Sequence, residues 1–102
     1  MKLVIRPEAR RDVLRQVGYL LEELAYDAAE RFPGAVKEAL KFIVNHPKAG
    51  SPRPLAKRGM KGLRSWPIPG FEEVRVYYVQ PRTNVVRVLR IIHGKRDLNR
   101  TL

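Results

Sequence analysis

Residues 87–97, RVLRIIHGKRD, end an apolar run with the side chains in this sequence that are best suited to chemistry. His93 can donate or accept a proton near neutral pH, and Lys95 and Arg96 follow it as cations that can hold a phosphate. Together they fit either a catalytic cluster that cleaves RNA or a basic strand end that an acidic partner covers. The other histidine, His46, precedes Pro47 at a predicted helix end, where solvation and the helix dipole account for it.

The composition excludes several classes of function. At 102 residues, the chain is long enough for one domain, 1–102, with a modest core. It has no cysteine, so disulfides, thiolate catalysis and cysteine-ligated metals are excluded, and we expect no metal site and no cofactor. The N-terminal apolar run is too short for a signal peptide or a membrane span. We therefore expect a cytoplasmic protein.

The positive charge is concentrated in the C-terminal half. Residues 1–50 hold nine Lys/Arg against seven Asp/Glu (+2), whereas residues 51–102 hold twelve against three (+9), giving the net +11. A concentrated positive field attracts polyanions and speeds their association. The charge pattern therefore predicts a nucleic acid or an acidic protein as the partner.

The N-terminal half predicts a strand and two helices. Residues 2–5 are a short apolar run before Pro7, which suits the first turn of a helix because its missing N–H has no partner there. Apolar residues then recur at intervals of three and four through Leu24, as on one face of a helix. An Asp-x-x-Glu capping pattern at Asp27 predicts a second helix, and Pro33 within it predicts a kink or a late start.

The C-terminal half predicts three antiparallel strands separated by short turns. The strands are Leu63 to Ile68, Phe71 to Val79 and Val85 to Ile92. Alternation along the second of them places Tyr77 and Tyr78 on opposite faces of the sheet. The third is apolar on both sides, which favours a central position. The order β-α-α-β-β-β predicts an α+β fold, with a short N-terminal strand and a two-helix hairpin packed on a mainly antiparallel sheet.

Several stretches along the chain form a recognisable series: the opening KLVIRPEARRD, the helical hairpin and basic loop that follow it, LRSWPIPGFEEVRVYYV, and VVRVLRIIHGKRDL. Together they resemble the RelE/ParE superfamily of bacterial toxins. The resemblance covers almost the whole chain, and the last two stretches are similar to the ParE-like, plasmid-stabilisation branch. It implies a RelE/ParE-like fold and the toxin of a type II toxin-antitoxin system.

The ribonuclease members of this superfamily imply one set of roles. They cut messenger RNA on the ribosome by attack of the 2′-hydroxyl on the adjacent phosphate, which needs a base, an acid and cations. By resemblance, Arg64, Arg75 and Arg96 match the cations of those members. The position of their C-terminal tyrosine holds Leu102, which cannot transfer a proton. His93 then remains as the candidate for acid-base catalysis.

Several of these residues also have a structural interpretation. Tyr78 is another candidate base, but the pKa of a phenol is normally too high, and at least one of the paired tyrosines is expected in the core. The expected role of Trp66 is packing, although the part of its ring beside Arg64 can stack on a nucleic-acid base or contact a partner. Arg64, Arg75 and Arg90 can instead brace the sheet surface against glutamates. The candidate surface for target and antitoxin comprises Arg64, Trp66, Arg75, Tyr78, Arg90, His93, Lys95, Arg96 and Arg100.

ParE-like members, by resemblance, poison DNA gyrase by stabilising cleaved DNA, which needs a binding surface and no proton shuttle. The main hypothesis is therefore a gyrase-inhibiting toxin. The resemblance also implies a cognate acidic, partly disordered antitoxin and a hetero-oligomeric complex, with no membrane involved. Two alternatives remain: a RelE-like ribosome-dependent endoribonuclease acting on mRNA, and a non-toxic basic nucleic-acid-binding module, to which only the charge points.

Overall fold

A computed structural model describes residues 1–54, 59–95 and 98–102. Its elements are β1 (Lys2–Ile5), α1 (Pro7–Glu22), α2 (Tyr26–Asn45), β2 (Ser51–Pro52), β3 (Arg64–Ile68), β4 (Phe71–Arg82), β5 (Val85–His93) and α3 (Leu98–Thr101). The predicted α+β fold is confirmed, and β2 and α3 are short additions to the predicted order.

The strands form one mainly antiparallel sheet in the order β1-β5-β4-β3-β2. Only β1 and β5 pair in parallel among the described strands, and the other neighbours are antiparallel. The central position predicted for the last strand is confirmed, because β5 lies between β1 and β4. β1 is shorter than β5 and pairs only with residues 85–88, so the last part of β5 has a free edge.

The second helix of the hairpin begins differently from the prediction. α2 starts at Tyr26 after an Ala25 cap that makes no side-chain hydrogen bond, so the cap predicted at Asp27 is wrong. Of the kink or late start predicted at Pro33, the late start is wrong, because α2 runs through this proline. Phe32 and Ala29 are buried on the helix face that meets the sheet, and this burial holds the first turns in place despite the missing N–H of Pro33.

Both faces of the sheet bury apolar side chains. The helix-covered face lies under α1 and α2, and its strand residues include Val74, Val76, Tyr78, Val88 and Ile91. The opposite face, called the outer face below, is covered by Met60 and Leu63 and by the C-terminal residues Leu98 and Leu102, which pack on Tyr77, Val79, Leu89 and Ile92. The predicted alternation along β4 is confirmed, and both tyrosines are buried.

Candidate functional site

Arg90, predicted to lie on the binding surface, instead forms an ion pair inside the fold. Its Nε and Nη2 donate to the two carboxylate oxygens of Asp12 on α1, at 2.8 and 2.9 Å. The same carboxylate accepts the backbone N–H of Ile91 at 2.9 Å, and Arg90 Nη1 donates to the carbonyl of Thr101 at 2.9 Å. The hydrogen bond to Asp12 raises the pKa of Arg90 above its usual value. Arg90 therefore joins α1, β5 and α3, and its side chain is committed to structure.

Asp12 is the residue in this arrangement that sequence reasoning missed. It is buried on α1, next in sequence to Val13, which packs against the core. β1 pairs with β5 only as far as Val88, so the backbone N–H of Ile91 has no partner on a neighbouring strand at this edge. The Asp12 carboxylate accepts this N–H in place of a strand carbonyl. An acidic residue on the apolar side of a helix was the available signal, since a buried carboxylate needs a cationic or N–H partner.

Tyr78 is also part of the interior. Its side chain is fully buried in the core on the helix-covered face. Its hydroxyl donates to the carbonyl of Pro47 at 2.7 Å and accepts the N–H of Gly50 at 3.1 Å. Burial raises the pKa of Tyr78 above its usual value, which makes it a still poorer base. The surface role predicted for Tyr78 does not fit this position, because the side chain holds the segment after α2 against the sheet.

Arg64 and Trp66 lie on the helix-covered face of β3. Arg64 pairs with Tyr78 across the strands, and its Nη1 donates to the carbonyl of Gly50 at 2.8 Å. Trp66 stacks on Phe42 of α2, with ring centroids 4.4 Å apart, and is half-buried. The packing interpretation of Trp66 is confirmed.

Arg75 projects from the outer face, where it meets an arginine that sequence reasoning missed. The Nε atoms of Arg75 and Arg53 both donate to the Oγ of Ser65, at 2.8 and 2.9 Å. Burial and the neighbouring charge of Arg53 lower the pKa of Arg75. Arg53 lies within the predicted basic loop and carried no motif of its own, so only the pairing of β2 with β3 brings it here.

The exposed residues of the predicted surface lie near the end of β5 and in α3. His93, Lys95 and Arg100 are exposed, and Arg96 lies outside the described residues. His93 pairs with Val74 and therefore lies on the helix-covered face, at a cleft of about 330 Å³. The lining of that cleft includes Asp12, Arg15, Gln16 and Tyr19 of α1.

The three candidate ribonuclease residues that the structure describes, Arg64, Arg75 and His93, do not converge on one place. Tyr78 is in the helix-covered core, so its partner Arg64 lies on that face, whereas Arg75 alternates to the outer face. His93 pairs with Val74 and Arg64 with Tyr78, four positions apart on β4. Strand geometry then separates the Cα atoms of His93 and Arg64 by roughly 16 Å. One phosphate cannot contact all three side chains in this arrangement.

Among residues 1–54, 59–95 and 98–102, no group of three or more His, Cys, Asp and Glu side chains is arranged to hold a metal ion. No helix among the same residues is long and apolar enough to cross a membrane.

The chain is similar to known proteins both in sequence and in fold. A family model described as the ParE toxin of a type II toxin-antitoxin system, parDE, matches residues 3–98. The structure is similar to a solved one described as the chromosomal ParDE TA system from P. aeruginosa, with a TM-score of 0.68 and 17% identity, covering 91% of this chain and 95% of that chain. At that identity, the likeness concerns the fold alone. No curated protein matches the chain.

Proposed function

This chain belongs to the ParE toxin family of type II toxin-antitoxin systems, and on that premise we propose that it acts by binding DNA gyrase and stabilising cleaved DNA. The function requires a surface that docks on a partner and no side chain that transfers protons. The exposed basic residues Lys95 and Arg100 are suited to docking on an enzyme that holds DNA.

The distribution of the arginines carries this proposal. Arg64 and Arg75 lie on opposite faces of the sheet, and the hydrogen bonds of both go to the protein itself. Leu102, at the position of the ribonuclease tyrosine, packs against the core of the outer face. Arg64 and Arg75 therefore form no joint phosphate clamp, and position 102 holds no proton donor, and both placements favour binding over RNA cleavage.

The test uses the purified protein with gyrase, supercoiled DNA and ATP, and separately with translating ribosomes and mRNA. We expect cleaved DNA to accumulate with gyrase after denaturation of the enzyme, and mRNA to stay intact on the ribosome. Expression of the chain alone is expected to stop growth and induce the DNA-damage response. Discrete cuts in mRNA with intact DNA would establish the ribonuclease alternative, and normal growth with folded protein would exclude both kinds of toxin.

His93 provides a sharper test of the mechanism. We expect His93→Ala to retain toxicity within about twofold, since no proton transfer is required of this side chain. Lys95→Glu, two residues later and also exposed, reverses a charge on the docking surface and is expected to weaken toxicity. The measurement is growth inhibition at matched expression, with circular dichroism to verify folding. Loss of toxicity in folded His93→Ala alone contradicts the gyrase proposal.

A groove beside β1 supports an acidic antitoxin as the partner. Two adjoining hollows share Ile5 and Leu40, and their floor is largely apolar. Arg10, Lys37 and Lys41 are among the residues that line them. An apolar floor with a cationic rim suits an amphipathic segment with acidic side chains, which can fold on binding. We therefore assign this groove to the antitoxin, in a hetero-oligomeric complex.

A further inference from the structure

We propose that Arg53, Ser65 and Arg75 form a carboxylate-binding subsite on the outer face, which an acidic side chain of the antitoxin occupies. The proposal rests on the proposed function for the identity of the partner, and on the geometry below for the site itself. It adds a second contact region on the sheet face opposite the helices.

Both guanidinium groups converge on one buried oxygen. Ser65 is fully buried, and its hydroxyl accepts the Nε–H of Arg53 and the Nε–H of Arg75. These bonds place the two guanidinium carbons at most about 7.5 Å apart, given the length and angles of N–H···O bonds. Arg75 also donates to the Ser65 carbonyl, at a longer 3.4 Å. The hydroxyl oxygen has two lone pairs, so the two arginines use its full capacity as an acceptor.

No anion of the described chain neutralises this pair. The ion pairs found within 4.0 Å between described residues both involve Asp12, on α1. Glu73 lies two residues from Arg75 on the same face of β4, but it is exposed and forms no such pair. Both arginines are half-buried, and burial, together with repulsion from Arg53, lowers the pKa of Arg75. An oxyanion between the two guanidinium groups relieves this repulsion and gains charge-assisted hydrogen bonds.

The surroundings favour a carboxylate from a peptide over a nucleic-acid phosphate. Arg53 borders an open hollow whose lining includes Pro52, Pro54, Met60 and Leu63, with Lys61 beside them. Those residues suit an aliphatic side chain next to the acidic one. Single-stranded nucleic acids are usually held by aromatic side chains on which bases stack, and none of the described residues that line this hollow is aromatic.

The antitoxin can reach both the groove beside β1 and this subsite. The longest dimension of the molecule is 40 Å, which about a dozen extended residues span. A segment that continues from the groove around the molecule would place an acid on the arginine pair. Its negative charge complements the +9 carried by residues 51–102.

The first test uses the toxin alone and acetate as the probe. The arginine Nε–H signals of Arg53 and Arg75 are followed by NMR during titration with acetate at constant ionic strength. We expect both signals to shift with one common Kd for acetate. In Arg53→Gln, the Kd measured from the Arg75 signal is expected to rise at least fivefold. Arg82→Gln, the same charge change at an exposed residue at the end of β4, is the matched control and is expected to leave the Kd unchanged.

Phosphate separates the two kinds of ligand. The Kd of inorganic phosphate is compared with that of acetate after correction for the greater charge of phosphate. A Kd for phosphate no lower than that for acetate supports a carboxylate site. Phosphate binding more than tenfold tighter overturns that assignment in favour of nucleic-acid backbone. Independent shifts of the two arginines, or none, show that the pair is not a binding site. This test uses no antitoxin or target, so it can fail while the toxin proposal holds.

The second test identifies the source of the carboxylate. Wild type, Arg53→Gln, Arg53→Lys and Arg82→Gln are expressed with increasing amounts of the cognate antitoxin. We expect Arg53→Gln to stay toxic and to require about tenfold more antitoxin for neutralisation, Arg53→Lys to be intermediate, and Arg82→Gln to match wild type. Loss of toxicity in Arg53→Gln with unchanged antitoxin affinity would assign the subsite to the target instead. Failure of the antitoxin to neutralise the wild type would contradict the proposed function, whatever the acetate result.

Discussion

Replacement of Asp12 by alanine is expected to lower the free energy of unfolding by about 3 kcal/mol, the usual range for removing one partner of a buried ion pair. The Asp12 side chain is 2% exposed and that of Arg90 is 18% exposed, so water cannot fully compensate either group. The substitution leaves Arg90 without its carboxylate and the edge N–H of Ile91 without an acceptor. Thermal and denaturant unfolding would measure the loss, which corresponds to a fall in Tm on the order of 15 °C.

Controls separate the ion pair from the loss of one negative charge. Glu38→Ala removes an exposed acid from the interior of α2 and is expected to change stability by less than about 0.5 kcal/mol. Asp12→Leu combined with Arg90→Met replaces both charges by apolar groups and is expected to be more stable than Asp12→Ala. Amide exchange at Ile91 should be faster in Asp12→Ala. A loss below about 1 kcal/mol in Asp12→Ala would show that the ion pair does not stabilise the fold.

Periodicity in the sequence was sufficient for the elements and for much of the core. Predicting which face of β4 a side chain lies on needs only the local alternation of the strand. Tyr77 and Tyr78 were therefore placed correctly on opposite faces. The apolar steps through α1 placed Val13, Val17 and Leu20 correctly against the core, whereas Leu21 and Leu24, assigned to the same face, are exposed. The short elements β2 and α3 have no repeating pattern, because two and four residues are too few to show one.

The destinations of the arginines could not be predicted from local pattern. Whether Arg64 lies on the face of Arg75 depends on the register of β3 against β4, in which Arg64 pairs with Tyr78 and Pro67 with Arg75. A shift of one residue exchanges the two faces, so the predicted phosphate clamp depended on an unknown register. Arg90 and Asp12 are 78 residues apart in sequence, and only the packing of α1 across the free edge of β5 brings them together.

The same reasoning explains why Tyr78 was assigned to a surface. The sequence around a tyrosine in a strand is the same whether its hydroxyl lies in solvent or forms hydrogen bonds to backbone groups that are distant in sequence. Here it bonds Pro47 and Gly50, which are 31 and 28 residues away in sequence. The segment after α2 closes over the hydroxyl, and this closure depends on a glycine at position 50.

Replacement of Gly50 by alanine is expected to lower the free energy of unfolding by about 2 kcal/mol, as is typical of overpacking in a filled interior. A Cβ at this position would overlap the hydroxyl of Tyr78 and lie 2.9 Å from Tyr78 Cε1 and 3.0 Å from the carbonyl oxygen of Ser65. The carbonyl oxygen belongs to β3 and cannot move without disturbing the sheet. The N–H and carbonyl of Gly50 are both hydrogen-bonded, to Tyr78 and Arg64, so the segment cannot shift without losing these bonds.

Gly18→Ala is the matched control, because a Cβ on this α1 residue would meet nothing within 4 Å. We expect it to stabilise the protein by about 0.5–1 kcal/mol through helix propensity. Combining Gly50→Ala with Tyr78→Phe removes the overlapping hydroxyl, so the double variant is expected to lose about 1 kcal/mol less than the sum of the two single losses. The remaining cost comes from the ring and the Ser65 carbonyl, which stay in place. Strict additivity in denaturant unfolding would show that Gly50 is required for some reason other than its contact with the Tyr78 hydroxyl.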